Sequence, residues 1–293
     1  MPIRLENASK RSGNQWAFRD VSIEVADGEI FGVFGPNGSG KDEVVSHLSP
    51  GEAAANGSGS LFARLFGGRK SHHDRFSVTM KSIEKASGPV FLIDPFSGTD
   101  SGQRKLINNA MRDAAGRGHA VIFASPDFAD AFIACDRSAI LSDGYIQQIG
   151  PPEALYHEPA NRIVATFTGR NNILKARRLT SSKSEMPEFQ TIEGGYRLFT
   201  QKADLRRLGP IHKDVFLAIR PEQVVISFGA SFPEDNLLKA TIESAEFLGP
   251  ITYVQLDCSG MRLEAMVNKL VGLNAGDECM VGLPPDRIQV LPD

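Results

Sequence analysis

Gly35-Pro36-Asn37-Gly38-Ser39-Gly40-Lys41-Asp42 closes the apolar run IFGVFG of residues 30–35. The octapeptide matches G-x-x-x-x-G-K. In such a loop the glycines let successive main-chain N–H groups converge on phosphate oxygens, and the lysine adds charge for the β and γ phosphates. The run before it predicts a buried strand. A helix is expected to begin at Lys41 and to turn its positive end toward the same phosphates. Gly35, Pro36, Asn37, Gly38, Ser39, Gly40, Lys41 and Asp42 are therefore the candidate nucleotide-binding set. One position breaks the pattern. Ser or Thr belongs after the lysine, where its hydroxyl meets Mg²⁺, but this chain has Asp42. A carboxylate can ligate Mg²⁺, yet it sets negative charge beside phosphates.

Outward from the loop, PVFLID at 89–94 and AVIFAS at 120–125 are again short and continuously apolar, as strands buried on both faces of a parallel sheet are. Between them Leu106, Ala110, Met111 and Ala114 fall at helical spacing, and Gly116 reads as the stop. Phe128, Phe132 and Cys135 mark a second short helix. RSAILSDGYIQQIG at 137–150 predicts a hairpin turning at Asp143-Gly144. Strand–helix–strand order of this kind is α/β. Past about Asn171 the character changes. Residues 175–208 are polar and read as linker or irregular sheet edge. From Val215 onward, KATIE at 239–243, TYVQLD at 252–257 and RLEAMV at 262–267 alternate with period two, separated by turn signals. The expected organisation is a domain at 1–170 followed by an all-β barrel or sandwich domain at 171–293. Gly51–Ser60, rich in Gly, Ala and Ser, reads as a flexible loop.

Composition narrows the classes. The chain has 293 residues, with 32 Lys+Arg against 35 Asp+Glu, a balance that gives no electrostatic case for nucleic acid as partner. No apolar stretch is long enough to span a membrane, and the N-terminus has no signal core. The three cysteines, Cys135, Cys258 and Cys279, are far apart and form no CxxC pair, so neither a disulfide framework nor a zinc site is expected, and a reducing cytoplasm fits.

Several strings together are more specific. Gly28-Glu29-Ile30, GPNGSGK, VFLID ending at Asp94, Asp136-Arg137, Gly144-Tyr145-Ile146-Gln147 and Gly150-Pro151-Pro152-Glu153 resemble the ATPase subunit of an ABC transporter. The stretch 137–169 resembles the bacterial importers for maltose, polyamines, sulfate and ferric iron. Ile219-Arg220-Pro221-Glu222 and Glu246-Phe247-Leu248-Gly249 are similar to motifs of their appended TOBE domain. The resemblance covers most of the chain except about 44–88. It implies a RecA-like P-loop domain with a reduced helical subdomain, followed by OB-like barrels. It also implies ATP as ligand, Mg²⁺ held weakly by Asp42 and Asp94, membrane subunits as partners, homo- or heterodimers, and a cytoplasmic place on the inner face of the membrane.

The departures from that family are equally specific. The chain between Lys41 and Asp94 is much shorter than the family's and contains no Gln, so the Q-loop glutamine is missing. The signature motif is reduced to Lys70-Ser71-His72-His73-Asp74, with Ser71 its one survivor. Asp94 is followed by Pro95-Phe96, not by the Glu that polarises the attacking water. Pro126 stands where the switch histidine should follow Ser125, and Ser12 where an aromatic stacks on adenine; Trp16 is either a substitute or an ordinary packing residue. ATP hydrolysis is accordingly expected to be weak or absent. The alternative is a non-enzymatic interaction protein whose β domain does the binding over a degenerate scaffold.

Other features have plainer readings. His72-His73 lacks a third ligand for a metal. Asp94 and Asp100 fit Walker B and D-loop places better than a paired acid and base. Arg220 reads as a salt-bridge residue holding the β domain. The charges of Gln103–Ala115 read as a solvated face.

Overall fold

The computed structural model describes residues 2–49, 72–179, 186–201, 208, 210–227, 236–268 and 274–291. The loop expected at 51–60, Lys70, Ser71 and the 180–184 stretch lie outside them. The chain divides into two compact units, Met1–His157 and Glu158–Asp293.

The first unit opens with an antiparallel hairpin, β1 (Ile3–Ser12) and β2 (Gln15–Val25), whose buried side is Phe18, Val21, Ile23 and Val25. A five-stranded sheet follows: β3 (Ile30–Phe34), β4 (Val90–Ile93), β5 (Val121–Ser125), β6 (Arg137–Ser142) and β7 (Tyr145–Gly150), in the order β4-β5-β3-β6-β7. The first four are parallel, and β7 returns antiparallel along β6. Every residue of β3 and β5 is buried. That explains their unbroken apolar runs, each large side chain contributing roughly 1.5–3 kcal/mol of burial. Asp143 (φ 52°) and Gly144 (φ 78°) both take the left-handed conformation at the β6–β7 turn, as the Asp-Gly pair implies. The helices are α1 (Lys41–Leu48), α2 (His72–Glu84), α3 (Ser101–Gly116), α4 (Ala129–Ala134) and α5 (Pro152–His157). Gly116 is not the stop. It ends α3 within the helix, and the left-handed residue is Gly118 (φ 88°), whose N–H donates to the Ala115 carbonyl at 2.8 Å.

The second unit begins with a short helix, α6 (Arg162–Phe167), and is otherwise two antiparallel sheets. One has the order β10-β9-β8-β11-β17, from β8 (Asn172–Arg178), β9 (Glu188–Thr191), β10 (Arg197–Phe199), β11 (Asp214–Ile219) and β17 (Gln289–Leu291). The other runs β12-β16-β13-β14-β15, from β12 (Val225–Ser227), β13 (Asn236–Phe247), β14 (Thr252–Cys258), β15 (Met261–Val267) and β16 (Glu278–Leu283). Their inner faces share one core, in which Leu174, Phe189 and Leu217 meet Ile242, Leu256 and Leu263. The stretch read as linker or irregular sheet edge thus contributes β9, β10 and most of β8 to the edge of a sheet. Its alternation is masked because buried positions in it are polar, Arg178, Thr191 and Thr200. Residues 158–170, placed by the sequence reading before the boundary, belong to this unit.

All three cysteines are free and buried. Burial pushes the thiols of Cys135 and Cys258 up to about 12.

Candidate functional site

The phosphate loop leaves the C-terminal end of β3, the strand whose two neighbours, β5 and β6, lie on opposite sides of it. At such a point the chain connections diverge and a crevice opens above the sheet. The loop is packed tightly from below. A Cβ on Gly40 (φ 92°) would stand 1.9 Å from the Ala17 carbonyl oxygen, and one on Gly35 would stand 2.2 Å from that of Leu141. The Gly144 N–H donates to the Ser39 carbonyl at 3.1 Å, and Arg19 N–H to the Gly144 carbonyl at 2.9 Å. The hairpin strand β2, the β6–β7 turn and the loop therefore brace one another. Gly40→Ala is expected to fail on both counts, conformation and space. Its cost should exceed about 2 kcal/mol, checked by chemical denaturation against Gly38→Ala, where a Cβ meets nothing.

Gly40 is also the N-cap of α1 and offers no side chain to the first-turn N–H groups. Those donors are left for an anion. Ser39 is 3 % exposed, and its hydroxyl has no hydrogen-bond partner among the described residues. Lys41 is 5 % exposed, with its ammonium 3.7 Å from Asp42 Oδ1, beyond hydrogen-bonding distance. Burial holds the Asp42 carboxyl above the usual range; Lys41 opposes this, and the neighbouring charges of Glu43 and Asp94 add to it. Asp94, at φ 49° just past β4, thus lies within electrostatic reach of Asp42. Its N–H donates to the Ala124 carbonyl at 2.8 Å, which fixes it against β5.

Asp100 does not join them as a second acid. It caps α3, accepting from the Gln103 N–H at 2.8 Å while the Gln103 side chain reaches back to its own N–H. This Asp-x-x-Gln capping box was visible in the sequence. At the end of β5, the Ser125 hydroxyl donates to Asp130 at 2.7 Å and accepts from the Asp127 N–H at 3.1 Å. Asp130, 1 % exposed, is paired with Arg104 of α3 at 2.5 Å. Arg112 likewise meets Asp136 at 2.6 Å. The charges of α3 are therefore not merely solvated; two of them fasten the helix to the segments around it. Trp16 is no core residue either. It is 43 % exposed, flanked by the Arg11 and Arg19 guanidinium groups at 4.4 and 5.0 Å from its ring. His72 and His73 begin α2, and among the described residues no group of three or more His, Cys, Asp or Glu side chains could hold a metal.

In the second unit, Arg220 reaches three main-chain carbonyls and a hydroxyl. Its guanidinium donates to Ala165, Gly169 and Arg170, each at 3.1 Å, and to the Thr168 hydroxyl at 2.7 Å.

The TOBE domain family matches residues 217–291. Over 98 % of its length the chain is 24 % identical to the Fe(3+) ions import ATP-binding protein of Fusobacterium nucleatum subsp. nucleatum, covering 92 % of that protein. Over 90 % it is 25 % identical to the spermidine/putrescine import ATP-binding protein of Rubrobacter xylanophilus, covering 85 % of it. Over 97 % it is 23 % identical to the maltose/maltodextrin import ATP-binding protein of Mannheimia succiniciproducens, covering 94 %. The chain is similar over nearly its whole length to ATP-binding subunits of ABC importers. The first alignment runs over 357 positions, more than this chain has residues, so the Fusobacterium relative carries segments that are missing here. Among solved structures, an ATP-binding cassette of an ABC transporter in its ADP conformation overlaps 58 % of this chain and all of its own, at 17 % identity and a TM-score of 0.39. Among the described residues no helix is long and apolar enough to cross a membrane.

Proposed function

We propose that this chain is an importer ATP-binding subunit that retains nucleotide binding and hydrolyses ATP weakly or not at all. The observation that carries the reading is the pairing of an intact phosphate cradle with an incomplete hydrolytic one. Lys41, the loop backbone and the uncapped start of α1 converge as a phosphate site requires. Hydrolysis needs a positioned water and stabilised charge as well. Asp94 is followed by Pro95, and β5 runs out into Pro126, neither of which can accept or deliver a proton.

The donor chemistry near the loop suits Mg²⁺. Asp42 and Asp94 offer hard carboxylate oxygens, and bound Mg²⁺ would neutralise polyphosphate charge. By kinship the partners are membrane subunits and a second ATP-binding subunit, with the chain on the cytoplasmic face.

Trp16 is the only tryptophan in the chain, and its neighbour Ala17 touches Gly40 of the loop. A saturable change in its fluorescence on adding Mg·ATP is expected, and Lys41→Ala should abolish it. No change in fluorescence and no heat of binding at millimolar nucleotide would remove the nucleotide-site reading.

A further inference from the structure

We propose that Asp42 makes the phosphate loop take nucleotide and divalent cation only together, holding neither well alone. The inference rests on the nucleotide-site reading and concerns what form of ligand that site accepts: a metal-complexed nucleoside polyphosphate rather than a free one.

Three observations converge on it. The buried ammonium of Lys41 faces the Asp42 carboxylate at 3.7 Å, so its charge is already shared before any phosphate arrives. The first turn of α1 carries two carboxylates, Asp42 and Glu43, at the helix end where the exposed N–H groups gather, so the positive end is partly countered too. Asp94 adds a third negative charge within reach of Asp42.

A metal-free polyphosphate entering this cradle therefore meets repulsion that a serine or threonine hydroxyl would not exert. Because Asp42 is half exposed, solvent screens part of that repulsion, and what is left should still weaken binding by ~10-fold or more. A divalent cation reverses the sign, since the same carboxylates then attract. The cation alone fares no better, because no group of three protein ligands is present among the described residues and its coordination shell needs phosphate oxygens to be filled.

The test is calorimetric titration of the full chain with ADP, once in excess Mg²⁺ and once in EDTA, repeated for Asp42→Asn and Asp42→Ser. Asp42→Asn keeps the size and removes the charge; Asp42→Ser supplies the residue usual in the motif, so one of the two serves if the other folds poorly. The ratio of Kd in EDTA to Kd in Mg²⁺ is expected to be at least ~10-fold larger for the unaltered chain than for either variant. Equal ratios would overturn the coupling while leaving nucleotide binding in place. Mg·ADP binding seen only in the variants would also overturn it, because Asp42 would then be a plug. No binding by any of the three proteins would instead overturn the nucleotide-site reading, and the coupling with it.

Discussion

ATP turnover by the purified chain is expected to be no faster than that of its Lys41→Ala variant. Phosphoryl transfer to water depends on a positioned nucleophile and on donors aimed at the charge that develops, and each such group lost costs about 10²–10³ in rate. The glutamate expected after Asp94 is deleted, and Pro126 stands where the switch histidine is expected. Pro95 follows Asp94 directly, and the next side chain, Phe96, is buried against Phe123, ring to ring at 5.8 Å. Pro126 follows Ser125, whose hydroxyl is already given to Asp130. Together these losses place turnover some 10⁴–10⁶-fold below that of a complete site, under the background of a phosphate-release assay. Pro95→Glu alone should not restore it, because Pro126 still leaves the place of the switch histidine without a side chain that can donate. Robust phosphate release by the purified chain, abolished by Lys41→Ala, would mean that another group takes the place of the missing ones.

How far the sequence carried this conclusion differs from element to element. The turn from β3 into α1 was legible because its demands are local: close packing at Gly35 and Gly40, and a helix that starts at Lys41. The buried strands β3 and β5 were legible because both faces are covered and nothing polar interrupts them. The β1–β2 hairpin was not read, since register shifts between Leu5 and Arg11 break its period. Of the two readings of 175–208, linker or irregular sheet edge, the sheet edge holds for β8 to β10, whose inner face includes the polar Arg178 and Thr191. What makes Asp42 unusual was only half visible. Its identity stands in the sequence, but its proximity to Asp94 depends on the strand order that brings the end of β4 beside the loop. The reach of Arg220 to the carbonyls of Ala165, Gly169 and Arg170 was equally hidden, since main-chain acceptors leave no mark on composition.

That last feature predicts the largest stability effect in the second unit. Arg220 is 4 % exposed and serves acceptors on four residues around the end of α6, namely Ala165, Thr168, Gly169 and Arg170. It stands at the end of β11, so these bonds tie the entry helix of the unit to its sheet, beside the small apolar contact of Ala165 with Ala218 and Leu291. Arg220→Met keeps the length of the stem but leaves the acceptors without a donor. A buried acceptor left unmet costs about 1–3 kcal/mol, so the loss should reach about 3 kcal/mol or more even if water rescues some of them. For a unit of this size that corresponds to a fall in Tm of roughly 10 °C. Thr168→Val removes a single partner and should cost only about 1 kcal/mol. Trp16 lies in the first unit, so tryptophan fluorescence follows that unit alone, while far-ultraviolet circular dichroism follows the strands of both, and the second unit's transition is the part of it that fluorescence does not follow. The Arg220→Met chain should show the second transition moved down and the first unmoved. A variant whose strand signal melts within a degree or two of the unaltered chain would show that Arg220 is not what fastens α6 to the sheet.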